Sequence, residues 1–507
     1  MSSLRPAIGV AGLCASLAAS ASRGQQPAPT RPAPVALPVE QAVLVEGKPF
    51  PPVHTVSFRL PEARRTFFVA PGKGAAVPGK DDGDGTESSP WHDLGAALHR
   101  LAPGDRLRVG GGTYGPIAID ESCVDGNERQ PIQLVFDGKA TLEPKEGAPA
   151  MVVSRSHWFL VGVYARLGQS PAPGILFRGR GAHDLRLEGA RVADGIGPGI
   201  LVEAEAARIA ITGAYVSKTH LTRMGTSSCG VEIQGGAREV SVEGSHLSNN
   251  PSGSIRARAP ETNHAETRDL QIRENTIRDD GATAISIEAG DGVTIANNTL
   301  SDQSGIPATR GIALARVDRA SVRSNRISGF AVGIAVGHAE PGGGPVRPAT
   351  DVSVERNFLE GGRGAAAFVI EAGSAIRVVN NVTDGCANGL LLFGAPPQTE
   401  RVVVANNLFL RVSDVALMMQ SPSAATLFDY NVFSPSGPVT AEVGGETAAL
   451  SRFLERGTMP HTQLKSGVRV VQRDLARVSG IATVDRGKAV PGLQFRGAAP
   501  DLGVAER

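Results

Sequence analysis

Aromatic rings are in short supply: the 507-residue chain holds two Trp, four Tyr and 16 Phe. That scarcity weighs against a recognition surface built mainly of stacked rings. Excess charge of one sign is missing too. With 51 basic and 50 acidic residues the net charge is +1, which leaves no global field for a polyanion, and no nucleic-acid partner is expected. Cysteine occurs four times. Cys14 falls in the N-terminal apolar run, and Cys123, Cys229 and Cys386 form an odd, widely spaced set that reads as buried small hydrophobes rather than a disulfide framework. Long apolar runs are confined to the N-terminus. There Arg5, the stretch Ala7 to Ala19 and the small residues Ala19 and Ala21 read as a signal peptide over residues 1–21. A secreted or periplasmic protein without a membrane span is expected.

Glycine and proline, by contrast, are plentiful at 62 and 35 residues, which suits a chain that turns constantly and leaves helix scarce. A phrase of alternating apolar residues, a two-residue break and another apolar residue recurs ten times. It runs from Leu185–Val192 (LRLEGARV) through Val293–Leu300 (VTIANNTL) to Asp429–Phe433 (DYNVF). In the last seven copies the sixth position is Asn275, Asn298, Asn325, Asn357, Asn381, Asn407 and Asn431, spaced by 23, 27, 32, 24, 26 and 24 residues. Such a period marks a solenoid, and strand-like alternation excludes a helical one. The Asn column reads as an inward amide ladder, each side chain bonded to the next coil.

The expected organisation follows. Residues 22–65 are a Pro/Ala-rich lead-in, and 66–131 hold an N-terminal cap and first strands. Within the cap, Ser88-Ser89-Pro90 with Trp91, Leu94, Ala97, Leu98 and Leu101 predicts an amphipathic helix that covers the open end of the core. The Asp/Gly-rich stretch Lys80–Glu87 lacks EF-hand spacing and reads as a polar turn. Residues 132–439 are parallel coils, and 440–507 are a closing segment of irregular structure. A monomer is expected.

Each coil also carries a companion strand, as in Gly199–Glu203 (GILVE), Gly230–Gln234 (GVEIQ), Ser254–Arg258 (SIRAR) and Ala284–Glu288 (AISIE). Its second and fourth residues point inward, and its third and fifth point out. The outward positions are mostly apolar or small, except where Glu203, Glu232, Gln234, Arg256, Arg258 and Glu288 converge on one patch. The inserted stretches Ser217–Cys229 and Ala259–Asp269 bracket it with Lys218, His220, Arg223, His264 and Glu266. The same residues also fit a surface charge ladder. His338 with the Gly-rich loop after it reads as a surface loop, and His246 as a turn or stacking residue.

Three parts of the chain carry a family likeness. Phe68-Val69-Ala70-Pro71-Gly72, Asp84-Gly85-Thr86 and Gly112-Thr113-Tyr114 look like an opening segment of the right-handed parallel β-helix, or pectate-lyase-like, superfamily. The Asn-bearing repeats resemble its coils, and Ala499–Glu506 (APDLGVAE) is similar to the tail closing many bacterial members. The resemblance implies an all-β, right-handed parallel β-helix acting on polysaccharide, as a lyase, a glycoside hydrolase or an epimerase. In a lyase, a cation neutralises the uronate carboxylate and a base removes the neighbouring proton. Arg256 or Arg258 suits the first role. His264, His220, Lys218 or Arg258 itself is the candidate base, and Glu203, Gln234 and Arg223 are candidate substrate contacts. Glu232 and Glu288 are candidates for binding Ca²⁺ or for a hydrolase's carboxylate pair. The Asp-Pro-His of alginate epimerases, the Asn-Lys-Ser of chondroitinase-B-like lyases and the aspartate cluster of calcium-dependent pectate lyases are all missing from the sequence. The expected function is a lyase-like enzyme on acidic polysaccharide, with a non-catalytic glycan-binding or structural protein as the rival.

Overall fold

The computed structural model describes residues 60–72, 77–145, 147–168, 170–217, 229–260, 266–278, 281–303, 309–337, 348–361, 365–394, 399–421, 426–457, 459–472, 477–479, 486–489 and 500–503. Three strands per coil, each short and alternating, stack in register on their counterparts one repeat later, because a parallel strand's nearest partner is the same strand of the next coil. About 12 turns result. On the companion face, Ile175, Ile200, Val231, Ile255, Ile285, Ile312, Ile334, Phe368 and Leu390 form one inward column. The first half of the repeated phrase makes a second face, where Leu185, Ile209 and Val240 align. Its second half makes a third, where Val192, Val216, Leu247, Ile277 and Leu300 align. The aligned residues are sealed from solvent and feed one continuous core.

The break in the phrase is a sharp corner between the second and third faces. Its fifth residue takes a left-handed backbone: Gly189, Gly213 and Gly244 in early coils, then Glu274, Asn297, Ser324, Arg356, Asn380, Asn406 and Tyr430. Glycine meets this requirement without steric cost, and the other residues hold it against a cost of about 1 kcal/mol each. The sixth residue supplies the compensation. Asn298 donates its backbone N–H to Asn325 Oδ1 at 3.0 Å, while its side-chain amide donates to the same oxygen at 2.9 Å and to Ile272 O at 2.9 Å. The same pattern repeats at Asn275, Asn325, Asn357, Asn381 and Asn407. The ladder is buried throughout, as its structural reading requires.

The ends depart from expectation. Helix α1 spans only Leu94–Leu98 and is capped by Asp93, whose carboxylate accepts from Ala96 N at 2.8 Å, so Ser88–Pro90 do not start it. Trp91 is instead bridged to Val69 and stacks on Phe67 at 4.9 Å, which draws it out of the helical register. Leu94, Ala97 and Leu98 still bury against the core, so the capping role stands. The segment after 439 is ordered where it is described. Thr440–Val443 extends the companion face and turns back through Gly444-Gly445 into the antiparallel strand Glu446–Ala449, which leads into helix α2, Leu450–Glu455. Farther on, Val468 and Leu502 cover Phe358, Val382, Leu408 and Val432 on the outside of the third face. Cys123, Cys229 and Cys386 are free and buried. Among the described residues no helix is long and apolar enough to cross a membrane.

Candidate functional site

The third residue of each companion strand forms an outward column whose register runs Leu176, Leu201, Glu232, Arg256, Ser286, Ala313, Ala335, Val369 and Leu391. Polar residues occupy it in three consecutive coils at Glu232, Arg256 and Ser286, and again at Glu442 in the last coil, beyond Met418. The fifth residues flank them, placing Glu203, Gln234, Arg258 and Glu288 in the neighbouring column one strand spacing apart.

The four charges pair along parallel diagonals, each third-position residue with the fifth-position residue of the next coil, rather than straight down the columns. Arg258 Nη1 lies 3.3 Å from Glu232 Oε1, one coil back. Arg256 Nε donates to Glu288 Oε1 at 2.5 Å, one coil forward, and Ala259 N donates to Glu288 Oε2 at 3.0 Å. Glu203 stands 3.8 Å from Arg178. Outward position does not mean exposure here. The Glu232 side chain is 5% exposed and that of Glu288 15%, against 23% for Arg256 and 44% for Arg258. Close-set columns cover one another's stems, so Arg258 presents the open side of the quartet.

Cys229 belongs to the same cluster and was not legible as such. Its thiol donates to Glu232 Oε2 at 3.6 Å, and burial together with the Glu232 carboxylate pushes it well above the ordinary thiol range. That places it as a protonated donor, not a nucleophile. Both oxygens of Glu232 and of Glu288 are thus already engaged by donors. A calcium ion needs several free oxygens converging at 2.3–2.6 Å, and this arrangement supplies them only if the guanidiniums leave. The donor set therefore does not fit calcium as it stands, and no step below passes through the ion.

The two inserted stretches hold the remaining expected residues. Lys218, His220, Arg223 and His264 lie outside the described residues, as does His338. Glu266 is described immediately before the strand Thr267–Arg268. Elsewhere, Asp84 accepts from Thr86 N at 3.0 Å and Thr86 Oγ1 at 2.7 Å, the polar turn read from the sequence. His246 stacks on Tyr215 at 5.3 Å, and Arg191 lies over both Tyr164 and Tyr215. This stack is on the third face, and its ring faces are spent on one another rather than offered to a ligand.

Comparison with known proteins follows the architecture. The family model described as right handed beta helix region matches residues 263–409. No match to a curated protein reaches significance. The PL6 family alginate lyase AlyGC superposes with a TM-score of 0.52 at 13% identity, over 76% of this chain and 55% of that one; the chain thus spans little more than half of that protein's length. A mannuronic acid specific family 6 lyase from human gut microbiota gives 0.49 at 12% identity over 74% and 87%. Pectate lyase Pel9A gives 0.36 at 13% identity over 88% and 97%. By its strand stacking, its handedness and this match, the chain has the right-handed parallel β-helix fold.

Proposed function

We propose that the companion face between Glu203 and Glu288 binds an acidic, uronate-containing polysaccharide and cleaves it as a lyase. The observation that carries this reading is the run of three consecutive polar residues, Glu232, Arg256 and Ser286, in a column that is apolar or small from Leu176 to Met418 elsewhere, with Arg258 as the most exposed charge of the quartet. A sugar carboxylate entering the patch exchanges with Glu232 for the Arg258 guanidinium, a like-for-like swap of charged acceptors that keeps the cation paired. Arg256, held by Glu288, keeps the second positive charge beside the acidified carbon. Proton removal falls to His264, His220 or Lys218, or to a neutral Arg258 where Arg256 takes the carboxylate in its place; the freed electron pair forms the new C=C bond and the glycosidic oxygen leaves with the electrons of the broken C–O bond. Glu203, Gln234 and Arg223 hold the adjoining sugars. The β-helix fold shared with a protein named an alginate lyase points to the same substrate class.

One observation favours a second reading. The complete pairing of Glu232, Arg256, Arg258 and Glu288 is also what a structural charge ladder, or a non-catalytic glycan-binding face, requires. Incubation of the purified protein with pectate, alginate and glycosaminoglycans separates the readings. Unsaturated uronide absorbance supports the lyase, and new reducing ends without it indicate a glycoside hydrolase. Binding without cleavage supports the glycan-binding face, and neither binding nor cleavage removes carbohydrate from the account.

A further inference from the structure

We propose that His99, Asp120 and Cys123 form a zinc site that staples the capping helix to the first coil. His99 is the residue that ends α1. Asp120 follows the strand Ile117–Ile119, and Cys123 closes the turn, donating its N–H to Asp120 O at 2.9 Å. One ligand atom from each of the three lies within 4.8 Å of the others. Tetrahedral zinc ligands at bond lengths of about 2.0–2.3 Å stand roughly 3.5 Å apart, so side-chain rotation of about 1 Å closes the set. Ser122 Oγ already lies between two of them, 2.8 Å from His99 Nε2 and 2.5 Å from Asp120 Oδ1. The fourth position falls to that hydroxyl or to a water.

The turn is held in shape independently of any metal. Arg155 donates to Asp120 O and Glu121 O, both at 2.9 Å, and Trp158 Nε1 donates to Val124 O at 3.1 Å. The Arg155 charge is met by Asp125 at 3.3 Å. The buried Cys123 sulfur donates to Ala118 O at 3.9 Å, and the Asp120 backbone and the Ser122 hydroxyl also lie against it, so the atoms of the proposed site already converge on the sulfur. An imidazole, a carboxylate and a thiolate suit zinc and disfavour calcium, and the two anions neutralise the divalent ion. Binding releases the thiol proton to solvent. A second cluster, His157, His183 and Asp184, offers similar atoms but is filled: Arg208 Nε and Nη2 sit 2.6 and 2.8 Å from the Asp184 carboxylate. A cation has no place beside that guanidinium.

Cobalt titration of the tag-free chain tests the site, because a thiolate ligand gives a near-ultraviolet charge-transfer band and tetrahedral geometry a strong visible absorption. Both are expected in the unmodified protein, and the band is lost in Cys123→Ser. His99 is exposed, so His99→Ala leaves the fold intact while weakening zinc binding by about tenfold or more. Zinc raises the melting temperature of the unmodified protein and a chelator reverses it; His99→Ala shows no such rise. A cobalt complex without the thiolate band, or equal zinc affinity in His99→Ala, overturns the proposal.

Discussion

Arg258 reaches back one coil to Glu232, its Nη1 3.3 Å from the buried oxygen Oε1. Removing the guanidinium therefore does two things at once. Turnover of an acidic glycan is expected to fall to background in Arg258→Ala, since the substrate carboxylate loses its partner. Stability is expected to fall by about 1–3 kcal/mol, because Glu232 is left buried with the weak Cys229 donor. The double variant Glu232→Gln with Arg258→Ala separates the effects: stability returns toward the parent while activity stays lost. Chemical denaturation and a uronide absorbance assay read the two outcomes. Retained turnover in Arg258→Ala removes the patch from the mechanism.

Metal removal gives a second test. With Glu232 and Glu288 engaged by Arg258 and Arg256, turnover is expected to be unchanged by a calcium chelator and by added calcium. Loss on chelation with recovery on calcium addition means that the ion displaces the guanidiniums, and the two carboxylates then become ligands.

How much of this was legible depended on the range of each interaction. The Asn ladder and the inward columns are periodic, so residues such as Asn325 and Ile255 announced their places without a structure. The polar break at Glu232, Arg256 and Glu288 followed from the same register. Which arginine meets which glutamate did not, because adjacent and diagonal partners lie at similar distances and side-chain geometry alone decides. Cys229 read as a small hydrophobe, although its position three residues before Glu232 is what brings its thiol to the carboxylate. Gly444-Gly445, a two-residue hairpin signal between short β-compatible stretches, was present and missed. The covering of Leu408 and Val432 by Leu502 joins segments far apart in sequence, and no local pattern encodes it.

The ladder makes its own prediction. Asn325 Oδ1 accepts from Asn298 N and Nδ2, and Asn325 Nδ2 donates to Ile295 O at 2.9 Å and Asn357 Oδ1 at 3.0 Å. Asn325→Ala orphans buried partners on both sides and is expected to cost about 3 kcal/mol or more. Ser245 begins the ladder, accepting Ala214 N at 3.1 Å, and Ser245→Ala is expected to cost about 1 kcal/mol. Thermal melts of the two variants check the order. Equal losses show that the interior amides contribute no more than the terminal hydroxyl.

Acid stability tests the other edge of the solenoid. The hydrogen bonds from Arg208 hold the Asp184 carboxyl well below the usual carboxylate range, helped by His183, whose Nδ1 lies 2.7 Å away, and opposed by partial burial. A carboxyl depressed in the folded state stabilises the fold above its unfolded value of about 3.9. That contribution is present in full above the unfolded value and is lost as pH falls from there through the folded one, so its loss is completed only in strong acid. Arg208→Ala lifts the folded value toward the unfolded one, and the acid-unfolding midpoint is expected to move to higher pH, with little change near neutrality beyond the loss of a half-exposed ion pair. Far-ultraviolet circular dichroism against pH reads the shift, and added salt is expected to reduce it by screening the guanidinium. An acid transition identical in the two proteins means that Asp184 keeps its low value through other groups, and the Arg208 contact then contributes nothing to acid resistance.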